Sequence, residues 1–157
     1  MYLVRLIYAS RISDEFRIDD LKGIVKTAVR RNAANDITGL LCFNRNYFLQ
    51  CIEGERSVVN ETFNLICRDS RHEKVTLVSY EDITEREFTD WAMEYVPESK
   101  VSMALTRKYS AGRIFKPFEM SGESCLMFIR AIRGASQWHS ADVAGEDADM
   151  PSDDQST

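Results

Sequence analysis

Apolar positions recur along this chain with two periods, which take turns. Residues 2–10 alternate and are rich in Val, Ile, Leu and Tyr, which predicts a first strand. From about Ile18 to Arg31, Leu21, Ile24, Val25, Ala28 and Val29 recur at helical spacing, with Asp14 or Asp20 available to begin the helix. Asn35-Asp36 punctuates, and Asn44-Arg45-Asn46 turns ITGLLCF into YFLQCIEG, so residues 37–53 read as a hairpin. A second helix follows Gly54, from about Ser57 to Asp69, with Val58 or Val59, Phe63, Ile66 and Cys67 on its inner face. Residues 75–80 make another strand, and WAMEYV from Trp91 a shorter final one. The order β-α-β-β-α-β-β predicts an α+β, ferredoxin-like fold with an added edge strand. Two helices should pack on one face of a mostly antiparallel sheet.

The hairpin strand YFLQCIE is apolar on both sides: Phe48 and Ile52 point one way, Tyr47, Leu49 and Cys51 the other. Such a strand needs cover on both faces. The segment after Pro97 can supply it, with a helix near 100–109, a break at Lys116-Pro117, and residues 121–137 carrying the stripe Cys125, Phe128, Ile129 and Ile132. This pair of C-terminal helices is expected on the far face of the sheet, or against a neighbouring subunit.

Length and charge narrow the partners. A chain of 157 residues suits one domain. No window approaches the roughly 18 apolar residues of a membrane span, and the start lacks the pattern of a signal peptide, so a cytoplasmic location is expected. The net charge of −5 is concentrated after Ser140, where Asp142, Glu146, Asp147, Asp149, Asp153 and Asp154 stand without a base. The remainder is close to neutral, which argues against nucleic acid, and residues 140–157 read as a disordered acidic tail. Cys42, Cys51, Cys67 and Cys125 form no CxxC or Cys/His group and read as buried free thiols; His72 and His139 are too few for a metal site.

Three polar residues fall where patterning calls for hydrocarbon. Gln50 lies between Phe48 and Ile52, Tyr8 shares a face with Leu6 and Val4, and Asn32 sits at the end of the first helix. A buried amide left without partners costs about 1–3 kcal/mol. Gln50 bonded to Tyr8 and a backbone group would satisfy that demand and nothing more. Taken together, the three could instead present donors and acceptors to a flat heteroaromatic ligand clamped by Ile24 and Ile66.

The stretches LVRLIYAS (Tyr8, Ser10), RNAANDITGLL (Asn32), FLQCIEG (Gln50), CRDSRH (Asp69, Arg71, His72) and REFTDWAM (Trp91, Met93) follow in this order over residues 2–96. In that order and spacing they resemble the BLUF domain (blue-light sensing using FAD), especially its short stand-alone members. KYSAGRIFKPFEMSGESCLMFIRAI is similar to their helical cap. The resemblance implies a flavin-binding domain over residues 1–96 and a cap over 97–139.

It also implies roles. Tyr8 and Gln50 would form the photochemical relay, a phenol giving an electron and a proton and an amide passing the proton on. Asn32 would bond the polar edge of the flavin; Ser10, Ile24, Phe48 and Ile66 would line the pocket. Asp69 would meet the ribityl chain, and Arg71 and His72 the polar side of the flavin. Trp91 and Met93, two apart and so on one side of a strand, would carry the signal outward. The chain departs from many relatives at Arg31, where they have a second Asn, and from some at Leu65, where they have a base. Arg31 is therefore the candidate to compensate near the phosphates, and FAD and FMN both remain open. The implied output is a change of contacts with a separate response-regulator-like protein or within a homo-oligomer, with no catalysis by the chain itself. A flavin-dependent redox enzyme is disfavoured by the lack of a nicotinamide-binding glycine motif. A flavin-free binding module on the same fold is the third reading.

Overall fold

The computed structural model describes residues 2–17, 20–89 and 92–133. The first strand, β1 (Leu3–Ile12), is followed by helix α1 (Leu21–Ala34), the hairpin β2 (Thr38–Phe43) and β3 (Tyr47–Glu55), and helix α2 (Arg56–Arg68). Then come β4 (His72–Asp82), β5 (Glu94–Pro97), and helices α3 (Met103–Tyr109) and α4 (Gly122–Ile132). The spatial order is β4-β1-β3-β2-β5, antiparallel except for the parallel β2–β5 pair. This is the predicted α+β ferredoxin-like arrangement with its added edge strand.

The alternation within β1 and β3 decides which residues meet. Tyr8 lies opposite Gln50 and Leu6 opposite Ile52, while Gln50 also lies opposite Leu41 and Leu41 opposite Tyr95. These residues share one face, because side chains in register on neighbouring strands point the same way. There they join a core with Leu21 and Val25 of α1 and Val59 of α2. Ile7, Leu49, Cys42 and Val96 point to the other face and pack with Cys125, Phe128, Ile129 and Ile132 of α4. The stripe read from the C-terminal segment does cover the far face, and all four of its residues are buried.

Gly39 is required where β2 crosses β3: a Cβ there would lie 2.0 Å from the Cys51 carbonyl oxygen. Backbone rather than a movable side chain fills that space, so no other residue fits. Asp36, just beyond α1, takes a positive φ of 53°. Asp and Asn tolerate this region better than most residues, and the chain uses it to leave the helix for β2.

Several expectations need correction. Asp20 occupies the position before α1 but makes no side-chain cap; its carboxylate accepts from the Arg17 amide instead. Glu55 caps α2, accepting from the amides of Ser57 and Val58. Cys67 is exposed rather than on the inner face of α2, where Thr62 is buried instead. Val59, Thr62, Phe63 and Ile66 make the stripe with offsets of three, four and seven, and Cys67 falls beside it. The last strand begins at Glu94, so Met93 precedes it rather than lying within it. The carbonyl of Ala92 accepts from Asn32 at 3.4 Å, so this stretch turns to α1 instead of extending the β2 ladder. Trp91, Ile18, His139, the end of the predicted last helix and the acidic tail lie outside the described residues. No helix among the described residues is long and apolar enough to cross a membrane.

Candidate functional site

A cleft of about 660 Å³, counted to its open mouth, lies between α1, α2 and the sheet. Ile24 and Ala28 of α1 form one wall and Ile66 and Thr62 of α2 the other, while Tyr8, Gln50, Leu41, Phe48 and Tyr95 form the floor. Asn32 and Arg31 stand at one end of α1, and Asp69, Arg71 and His72 line the rim after α2. Two apolar walls facing each other across polar donors and acceptors fit a flat heteroaromatic ring system.

The floor contains one chain of hydrogen bonds. The Tyr8 hydroxyl donates to Gln50 Oε1, and Gln50 Nε2 donates to Met93 Sδ at 3.5 Å. Tyr8 is 1 % and Gln50 6 % exposed, so neither exchanges partners with bulk water. Burial pushes the Tyr8 phenol well above its ordinary pKa, and it remains a proton donor throughout the physiological range. The Tyr95 hydroxyl donates to the Val25 carbonyl at 3.2 Å, tying β5 to α1 across the end of the cleft.

The rim is charged but paired. Arg71 Nε donates to Asp69 Oδ1 at 2.8 Å, and this bonding holds the Asp69 carboxyl below the usual carboxylate range against the opposing effect of burial. Burial pushes the His72 imidazole down to about 4, opposed by Asp69 and aided by Arg71. His72 is therefore neutral near pH 7. Its Nδ1 lies 2.8 Å from Ser10 Oγ, and its ring lies 4.9 Å from that of Phe48.

The chain matches the family described as sensors of blue-light using FAD over residues 3–94, more than half its length. The chain belongs to the BLUF family. That membership brings FAD as the chromophore of BLUF domains and blue-light sensing as the family's activity.

Among BLUF relatives, the blue light- and temperature-regulated antirepressor BluF of Escherichia coli (strain K12) is 35% identical over 92 residues, 59% of this chain and 23% of BluF. The photoactivated adenylate cyclase subunit beta of Euglena gracilis is 33% identical over 101 residues, 64% of this chain and 12% of the subunit. The chain thus spans less than a quarter of either relative. Two solved BLUF structures match nearly end to end. BlsA in its photo-activated state superposes with a TM-score of 0.79 at 30% identity, covering 87% of this chain and 98% of BlsA. BlrB in its dark state gives 0.73 at 32%, covering 86% and 98%.

Of the residues singled out in the sequence, Tyr8, Ile24, Arg31, Asn32, Phe48, Gln50, Ile66, Asp69, Arg71 and His72 all line the BLUF cleft. Ser10 does not line it; fully buried, it stands behind His72. Met93 is buried beneath Gln50 rather than at the cleft surface. Thr27, Ala28, Leu41, Thr62 and Tyr95 also line it and were not anticipated. Ala28 carried a signal as part of the α1 stripe. Tyr95 carried none, since only the β2–β5 register brings it to Leu41.

Proposed function

We propose that this BLUF chain senses blue light through the Tyr8–Gln50–Met93 chain of hydrogen bonds and passes the change to another protein surface. The observation that carries this reading is the orientation of the Gln50 amide at the cleft floor: its oxygen accepts from Tyr8 while its nitrogen faces Met93. Bound flavin supplies the light absorption and the excited-state demand for an electron. Tyr8 is the donor, because a phenol that is protonated and hydrogen-bonded can give an electron and a proton along one axis. Gln50 would take that proton at Oε1 and release one from Nε2 toward the ring that took the electron, so the amide stays neutral. A half-turn of its amide, or its tautomer, reverses which end donates, so that Tyr8 and Met93 both lose the partner they had. Asn32 supplies amide groups for the polar edge of the ring, with Ile24 and Ile66 holding its faces. Asp69, Arg71 and His72 form the side where the ribityl chain leaves, and Arg31 stands at the opposite end.

Met93 is the first described residue outside the cleft to feel the reversal, and it leads directly into β5. Trp91 is the second candidate on this route. We assign output to contacts with a separate response-regulator-like protein or between copies of this chain, in the cytoplasm, and not to catalysis. The antirepressor activity named for BluF is output of that kind, and the described residues beyond the family match go into covering the sheet.

Gln50→Leu and Tyr8→Phe are the test. Each should bind flavin and fold while losing the reversible red shift of the flavin band under blue light. A normal shift in either variant refutes the relay. NADH turnover above the free-flavin background would favour the redox enzyme instead.

A further inference from the structure

A second cavity, about 970 Å³ with its open mouth, lies at the end of β1 and beside the β2–β3 turn. It shares a wall with the flavin cleft in two places. Phe16, which lines the second cavity, packs edge-on against Phe48, which lines the first, with ring centroids 5.8 Å apart. The Ser13 amide donates at 3.0 Å to the carbonyl of Arg71, a residue of the cleft's rim. The cavity therefore opens beside the rim residues proposed for the ribityl chain.

Its lining has a definite chemistry. Ser13 is 5 % exposed, and its hydroxyl is a buried polar group without a hydrogen-bond partner. Such a group costs free energy unless something bonds to it. Arg45 is the one cation and Asp14 the one carboxylate among the lining residues, and Phe16 and Ile12 supply the apolar part. The rim is held firmly: Asn44 Oδ1 accepts from the amides of Asn46 and Tyr47 at 2.8 Å each, and the Ile12 amide donates to the Asn46 carbonyl at 2.8 Å.

A guanidinium alone would suit any anion, and a carboxylate alone any cation. The two beside an aromatic ring suit a ligand with phosphate, vicinal hydroxyls and a heterocycle. We propose that this second cavity holds the adenosine diphosphate half of FAD. The proposal rests on the flavin reading of the cleft. Arg45 meets the diphosphate, Asp14 accepts from the ribose hydroxyls, Phe16 packs against the adenine, and Ser13 gains the partner it lacks. This anchor stands in for the base that Leu65 replaces in α2.

The test is a titration of the full-length apoprotein with FAD and with riboflavin, which lacks the whole adenosine diphosphate. The wild type should bind FAD tighter than riboflavin by about ten-fold or more, the effect of one or two charge-assisted bonds. Arg45→Ala lies on an exposed turn and should bring that ratio close to one while leaving riboflavin affinity unchanged. Equal affinities in the wild type, or a ratio unaffected by Arg45→Ala, would overturn the proposal. So would a ratio that falls in Arg31→Ala and not in Arg45→Ala, which would send the phosphates out at the other end of the cleft. If free ADP binds riboflavin-loaded protein through Arg45 while the FAD ratio stays put, the cavity takes a separate nucleotide, and the cofactor assignment is wrong. Failure to bind either flavin would sink the photoreceptor reading itself, a different outcome from an unchanged ratio.

Discussion

On one face of the sheet Tyr8, Gln50 and Asn32 border an open cleft; on the other, Arg5 and Glu53 are shut away beneath α4. Tyr8 and Gln50, like Arg5 and Glu53, interrupt apolar strands, and both sets are buried: Arg5 is 5 % and Glu53 0 % exposed. Their bonding differs. Glu53 accepts from Arg5 Nε at 2.8 Å and from the amides of Glu87 and Phe88 at 2.9 and 3.1 Å. Arg5 also reaches Glu81 and Glu87 at 3.0 Å each, and Arg130 of α4 closes the group on Glu87. The carboxylate and guanidinium are surrounded by partners of fixed orientation. The Gln50 amide, by contrast, has one strong partner, one weak sulfur partner and a cavity beside it. Polar groups that are saturated hold a fold in one state, and a polar group with an alternative arrangement can switch.

The largest stability effect should come from the saturated face. Glu53→Ala strips the buried Arg5 of its closest partner and orphans two amides, so unfolding free energy should fall by about 3–5 kcal/mol in denaturant titration. A loss below about 1 kcal/mol would mean that Glu81 and Glu87 can replace Glu53 outright. On the cleft face the balance inverts: Tyr8→Phe should cost only about 1–2 kcal/mol by the same measurement, while removing the light response altogether. If Tyr8→Phe destabilises as much as Glu53→Ala, the two faces do not divide the work as described.

This division shows what the residue pattern could and could not disclose. Alternation in β1 and β3 exposed the two-faced strand, and Gln50 and Tyr8 stood out because each occupies an apolar position on its own strand. Arg5 did not stand out, because a charge among alternating residues reads as a solvated edge. Only the register that sets it opposite Glu53, and the covering by α4, make it a buried pair. Tyr95 and Thr62 were missed for a related reason: long-range placement brings them to the cleft, and nothing local distinguishes them from core. The start of β5 was misplaced because WAMEYV is apolar except at Glu94, and the Asn32–Ala92 bond at its start has no local signature.

A smaller effect concerns pH. His72 has a folded pKa near 4 against an ordinary 6.5, so between those values the unfolded chain holds the extra proton. The stability contributed by neutral His72 is complete above about pH 6.5 and is lost as pH falls toward 4. Melting temperatures across that window should drop in the wild type and drop less in His72→Asn. Identical slopes would remove His72 from the account. The smallest effect should be that of Arg130→Ala, where the partners are half-exposed: about 0.5–1 kcal/mol, reduced further by added salt.

The central claim, that the polar cleft is a light-sensing flavin site, is tested most directly by one absorption spectrum recorded in darkness and again at once after blue illumination. The purified protein should show a flavin band that moves to the red and returns in the dark. A flavin band that only bleaches, or a colourless protein after expression with ample flavin, would contradict it.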